Sequence, residues 1–258
     1  MSENALIDLH LSGVMWELTD IPIAAPRDKV ASTPVENNPV SAVSVVSEIG
    51  RCTASVVPAI APTVRISLDT VRAMASRPND MLVLNRMISE FDHPLRSVAS
   101  NVVLPHIGNG RLMVLTDIPG SDDDATGRVL SGAAGELMDK MLSAIGQSRE
   151  TVSILPMVFW RTPGGRTPSR EELDLSRPFI DKAIELLSPR VILTLGTLPA
   201  AEIAGLNLTK SHGTAVPHNS GATVVPIFHP NYLILKPAAK REVWTALQNV
   251  ENILKSAE

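Results

Sequence analysis

The chain has 258 residues, 44% of them hydrophobic, with a formal net charge of −4 and a single cysteine, Cys52. That length suits one large α/β domain with an extension. The lone cysteine excludes an internal disulfide and any four-cysteine zinc or iron–sulfur site and fits a reducing cytoplasm, and the acidic balance gives no bulk preference for nucleic acid while leaving room for a local basic patch.

No apolar run approaches the roughly 18 residues of a membrane span. The first residues, MSENALIDLH, lack a basic leader, so no signal peptide is expected and the expected location is cytoplasmic. Leu6, Leu9, Leu11, Val14, Met15 and Leu18 stripe the start of the chain, and residues 1–18 read as an N-terminal packing helix. Residues 19–67 are rich in Pro, Ser and Val with no sustained period, and read as a flexible linker that contains Cys52. The compact domain is expected over 68–258. It opens with helices at about Leu68–Ala75 and Asp80–Phe91.

The stretch Leu112–Gly135, LMVLTDIPGSDDDATGRVLSGAAG, organises the rest of the domain. Leu112–Leu115 reads as a buried strand, Thr116–Gly120 as a turn, the acidic stretch as a loop, and Gly132 to about Ile145 as a helix. Val152–Val158 is the next strand, followed by a loop punctuated by Pro163, Gly164 and Gly165. Ser169 with Glu172 three residues on is a capping box that opens a long helix. Arg190–Gly196 is a third strand, Pro199–Ala204 a short helix and Thr223–Phe228 a fourth strand. His229–Tyr232 then reads as a polar loop, and Pro237 opens a last helix striped by Val243, Leu247, Val250 and Leu254. Strands alternating with helices imply an α/β fold, three-layer α/β/α around a central, mostly parallel four-stranded sheet.

Two residues at strand ends carry chemistry. Asp117 follows the first strand and His229 the fourth, so both fall at the carboxyl edge of the sheet, where α/β proteins place their sites. A carboxylate and a histidine suit hydrolysis, one group orienting water and the other stabilising developing charge. The pattern alone fits equally an aspartate capping a turn and a histidine bonded within one. Asp122, Asp123 and Asp124 read as a solvated acidic loop rather than a metal site, because no second cluster of hard ligands accompanies them. His212, His218 and His229 lack zinc-site spacing, so no metal is expected. Arg161, Arg166, Lys210, Lys236, Lys240 and Arg241 fall near strand ends or helix starts. Singly each suits an ordinary surface; together they suggest phosphate contacts.

These residues carry a resemblance. From about Phe91 to Leu254 the chain resembles the uracil-DNA glycosylase superfamily, and most closely its family 4, whose members usually hold a 4Fe–4S cluster. The family's first motif, G-E-A-P-G followed by E-D and G-x-P-F-x-G-x-A-G, is matched by Thr116-Asp117-Ile118-Pro119-Gly120, Asp123-Asp124, Gly127, Gly132, Ala134 and Gly135. The R-P-P-G-N-R-x-P loop is matched by Arg161–Pro168, the strand V-I-x-x-L-G by Val191–Gly196, and T-K-x-R-G by Thr209–Gly213. The second active-site motif, H-P-x-Y-L, is matched by His229–Leu233, and K-R-E-V-W by Lys240–Trp244.

The resemblance implies cleavage of the N-glycosidic bond of a uracil flipped out of DNA. It places Asp117 where the family has a water-activating glutamate, one methylene longer. It gives His229 the role of donating toward the uracil oxygen that gains charge. Thr116, Ile118, Pro119, Gly120, Leu130 and Pro156 would line the base pocket. Arg161, Arg166, Lys210, His212, Pro230, Asn231, Tyr232, Leu233 and Lys236 would meet DNA. The departures are specific. The family's first glycine is Thr116, its stacking phenylalanine is Leu130, and its uracil-reading asparagine falls at Pro156. The cluster cysteines fall at His93, Trp160 and Ser176, so no cluster is expected, and Trp160 is expected to plug the space. Two readings are open: a cluster-free glycosylase, weak or altered in base preference, acting as a monomer on DNA that contains uracil or a related deaminated base, or a non-catalytic relative that binds DNA or a repair partner. A nucleotide-binding α/β protein is a third, but no G-x-x-x-x-G-K-[ST] fingerprint is present.

Overall fold

A computed structural model of the protein describes residues 67–256. The expected N-terminal helix and all but the last residue of the expected linker lie outside the described residues. Helix α1 is Leu68–Ala75, capped by the Ser67 side chain, and α2 is Met81–Glu90, capped by Asp80. Strand β1 is Leu112–Thr116, β2 Val152–Pro156, β3 Val191–Leu195 and β5 Thr223–Ile227. All residues of β1, β2 and β3 are buried, as strands covered on both faces must be. They form a sheet in the order β2-β1-β3-β5, parallel throughout.

The sheet has a fifth member where four were expected. Val216–Pro217, β4, pairs antiparallel with the outer edge of β5. Two residues leave no periodic signal, so the sequence alone does not announce it. A second departure is the acidic stretch, which forms a short helix α3, Ser121–Thr126, rather than an open loop. Two of its three aspartates are buried. Asp123 accepts the Gly120 N–H at 3.0 Å and the Ser131 N–H at 2.6 Å, and Asp124 accepts the Ser100 and Asn101 N–H groups at 2.9 and 3.2 Å. They serve as backbone anchors, which stabilises anions inside a protein. A third departure is the His-Pro segment. It is a helix, α8, Pro230–Leu235, with proline at its first position and His229 as its N-cap.

The remaining helices are α4 (Gly132–Ser143), α5 (Arg170–Leu187), α6 (Thr197–Ala204), α7 (Leu208–Ser211) and α9 (Lys240–Lys255). The capping box expected at the start of α5 is present: Ser169 accepts the Glu172 N–H at 3.2 Å, and Glu172 accepts the Ser169 N–H at 2.7 Å. Side chains alternate across β1. Met113 and Leu115 join a core with α1, α2 and α5; Leu112 and Val114 join one with α4, α8 and α9. This is the expected three-layer α/β/α arrangement.

Candidate active site

Strand register decides what meets at the carboxyl edge. Thr116 of β1 pairs with Leu195 of β3, and Leu195 pairs with Ile227 of β5. One residue further along, Asp117 and Gly196 are neighbours at the ends of adjacent strands. The chain needs glycine there. Gly196 has φ +97°, and a Cβ on it would overlap both carboxylate oxygens of Asp117. The Asp117 side chain therefore lies over the start of α6, where the Leu198 N–H supports its charged form. Its Oδ1 is buried and has no partner among the described residues. Burial outweighs that one hydrogen bond and pushes the carboxyl up to about 7.

His229 lies two residues beyond the end of β5, and its ring reaches back over β3 to β1. Nε2 sits 3.0 Å from Thr116 Oγ1. Nδ1 accepts the Asn231 N–H at 3.2 Å, the capping bond that starts α8. Nδ1 must then be unprotonated, so Nε2 carries the proton and donates it to the threonine hydroxyl. Burial pushes the imidazole down to about 4, so the ring is neutral at physiological pH. Two expected residues, Asp117 and His229, thus stand on either side of the end of β3, with Thr116 touching the histidine.

The other expected pocket residues share this edge less openly. Pro156 is paired with Thr116 across β1 and β2 and is buried, so no side-chain amide faces the site from there. Leu130 is 3% exposed, in the core that includes Leu137 and Met138. It has φ +51°, and its carbonyl accepts the Arg149 guanidinium at 2.6 Å. Ile118 is half-buried, Pro119 buried, and Gly120 exposed as the N-cap of α3.

Of the residues expected at a DNA surface, Pro230 and Leu233 turn inward. Leu233 is 1% exposed and belongs to the core beneath α8. The apolar side chains that α8 offers to solvent are Tyr232, Ile234 and Leu235, the last 81% exposed. Helical periodicity decides this, and a reading of the segment as a loop misses Ile234 and Leu235. Asn231, Lys210 and Lys236 are exposed. His212 stacks on Phe228 at 4.2 Å, Phe228 leans on Tyr232 at 4.8 Å, and Lys236 Nζ lies 5.2 Å from the Tyr232 ring. This ladder braces the histidine helix from the side. Arg166 is tied by two hydrogen bonds of 2.8 and 2.6 Å to Glu172, whose carboxyl the guanidinium holds down at about 2. Arg161 is half-buried, with Nε lacking a partner among the described residues.

The positions expected to replace cluster cysteines do come together, but not as metal ligands. His93 stacks on Trp160 at 4.7 Å with planes 9° apart. Its Nδ1 accepts the Leu95 N–H at 3.1 Å and its Nε2 donates to the Glu172 carbonyl at 3.1 Å, with Ser176 Oγ 3.5 Å from the same nitrogen. Phe91, Phe159 and Phe179 surround the pair, with ring centroids 5.1 to 6.4 Å apart. The histidine has spent both nitrogens, none of these three positions carries a thiol, and the volume is filled by rings. These residues do not fit an iron–sulfur cluster.

Residues 105–248 match the sequence family described as the Uracil DNA glycosylase superfamily. The chain is similar to the Type-4 uracil-DNA glycosylase of Thermotoga maritima, 34% identical over 148 residues covering 55% of this chain and 76% of that protein. It is similar to that of Pyrobaculum aerophilum, 32% identical over 175 residues covering 63% and 89%, and to that of Archaeoglobus fulgidus, 30% identical over 161 residues covering 57% and 79%. With more than half of its length matched, the chain belongs to the uracil DNA glycosylase superfamily.

Proposed function

We propose that this protein hydrolyses the N-glycosidic bond of uracil in DNA, as a cytoplasmic monomer and without an iron–sulfur cluster. The observation that carries the reading is the placement of Asp117 and His229 at strand ends on either side of Gly196. In the step itself, the bond between C1′ and N1 of the base breaks and its electron pair leaves on the base. The neutral His229, through Nε2–H, stabilises the oxygen that gains this charge. Water adds through its oxygen to C1′, and its proton passes to the Asp117 carboxylate. Lys210, Lys236 and the exposed apolar tip of α8 form the face that meets the strand. Among the described residues no helix is long and apolar enough to cross a membrane.

One feature favours a second reading, a DNA-binding relative without catalysis: neither Leu130 nor Pro156 supplies the ring or the amide with which a pyrimidine is stacked and read. A single-turnover assay separates the two. Protein in excess is mixed with single- and double-stranded oligonucleotides holding one uracil, and alkali reveals abasic sites. Cleavage that disappears in Asp117→Asn and His229→Ala supports the glycosylase. Salt-sensitive DNA binding with no cleavage by the wild type supports the second reading.

A further inference from the structure

His229 has one proton to give. Asn231 N–H occupies Nδ1, so that proton is on Nε2, and Thr116 Oγ1 takes it at 3.0 Å. Thr116 is not on a loop that can swing aside. It is the last residue of β1, paired with Pro156 on one side and Leu195 on the other, its carbonyl accepts the Met157 N–H at 3.0 Å, and it is 2% exposed. The hydroxyl is therefore delivered to the histidine by the sheet itself.

We propose that Thr116 is a positioning residue that gates the histidine: its hydroxyl occupies the Nε2–H of His229 in the free protein, and a base oxygen engages that proton only by displacing it. The inference rests on the glycosylase reading of the site. A neutral carbonyl and a hydroxyl are acceptors of similar strength, so a ground-state base gains little by the exchange. An oxygen carrying the charge of the departing base is a much stronger acceptor and wins. The gate thus directs the histidine's help to the transition state and makes the reaction slower than an open site would allow. Within the chain the device is specific to residue 116, since no other side chain is bonded to Nε2 in the described residues.

The test is the single-turnover rate on a uracil oligonucleotide for the wild type, Thr116→Gly, Thr116→Ala and Thr116→Ser, with nitrogen-15 spectra of histidine-labelled protein alongside. Loss of the hydroxyl is expected to raise the rate at subsaturating protein about tenfold in the Gly and Ala variants, the value of roughly one hydrogen bond, while the saturated rate stays within about twofold because the bound base then takes the freed proton in its ground state as well. Thr116→Ser keeps the acceptor and is expected within about twofold of wild type. The spectra are expected to show His229 protonated on Nε2. A merely structural threonine would give slower Gly and Ala variants, and a hydroxyl that relays the proton onward would do the same; either result overturns the gate, as does a wild-type His229 protonated on Nδ1. Thermal unfolding identifies a variant that has lost its fold, in which case the other one decides. Cleavage by the wild type without a gain in the variants strikes only the gate, whereas absence of cleavage by every form removes the glycosylase reading and the gate with it.

Discussion

The carboxylate of Asp117 lies against the Cα of Gly196, close enough that any Cβ at residue 196 would overlap it. The contact comes from strand register, since Thr116 and Leu195 are paired partners and the next residue of each strand is Asp117 and Gly196. Gly196→Ala is therefore expected to push the carboxylate out of place. The φ of +97° adds backbone strain of roughly 1–3 kcal/mol, visible as a lower melting temperature. Displacing a catalytic group by about an ångström is expected to lower the single-turnover rate about a hundredfold. A Gly196→Ala protein that folds and cleaves at the wild-type rate would remove Asp117 from the reaction.

Activity should depend on pH through Asp117. The carboxyl is pushed up to about 7 by burial, and only its ionised form accepts a proton from water. The rate is expected to climb from pH 5.5 and level off above about pH 8, with its midpoint near 7. His229, pushed down to about 4, stays neutral across this range and contributes no second limb. A flat profile over the same interval would show that Asp117 does not titrate in the rate-determining step.

The same two groups act oppositely on stability. Asp117 titrates near 7 folded and near 3.8 unfolded, so between these values the folded state holds the extra proton and stability falls as pH rises. His229 titrates near 4 folded and near 6.5 unfolded, so between these values the unfolded state holds the extra proton and stability rises with pH. Asp117→Asn removes the first effect. It is expected to stabilise the protein by roughly 1–3 kcal/mol at pH 8 while abolishing cleavage, with no gain below about pH 4. Its stability should also rise more steeply with pH between 4 and 6.5 than that of the wild type. Chemical denaturation at a series of pH values measures both.

Trp160 is 1% exposed, stacked on His93 and ringed by phenylalanines. Trp160→Ala opens a large void in the core under α2 and α5, and a loss of about 3–5 kcal/mol is expected in denaturant melts. Incubating the wild type with ferrous iron and sulfide under reducing conditions is expected to give neither a visible absorption band nor a change in melting temperature. Appearance of both would contradict a structural role for the ring cluster.

Lys210, on α7, and Lys236, at the end of the histidine helix, are exposed. If each neutralises a phosphate, Lys210→Ala and Lys236→Ala should each reduce the slope of log binding constant against log salt by about 0.7–0.9 and weaken all DNA sequences alike. Leu235→Ala should leave the salt slope unchanged and weaken binding to duplex more than to single strand, because an exposed apolar tip acts by unstacking rather than by charge.

Much of this protein is legible in the sequence. The apolar run Leu112–Leu115 and the nearly apolar Val191–Leu195, too short for helices and bounded by turn residues, read as strands buried on both faces, and the Ser169–Glu172 capping box marks its helix start to the residue. The three-layer fold follows from their alternation with helices, and the order of motifs names the family and points to Asp117 and His229. What the sequence does not contain is the relation between residues 113 positions apart. Only parallel register brings Asp117 beside Gly196 and lays His229 across the end of β3 onto the Thr116 hydroxyl. Short elements escape for a related reason. The Val216–Pro217 strand exists because β5 offers it an edge, and the helix at Pro230–Leu235 because His229 caps it, turning Leu233 inward and Leu235 out. Local patterns record which face of a segment is apolar; which oxygen meets which proton is decided by packing, through contacts no local pattern encodes.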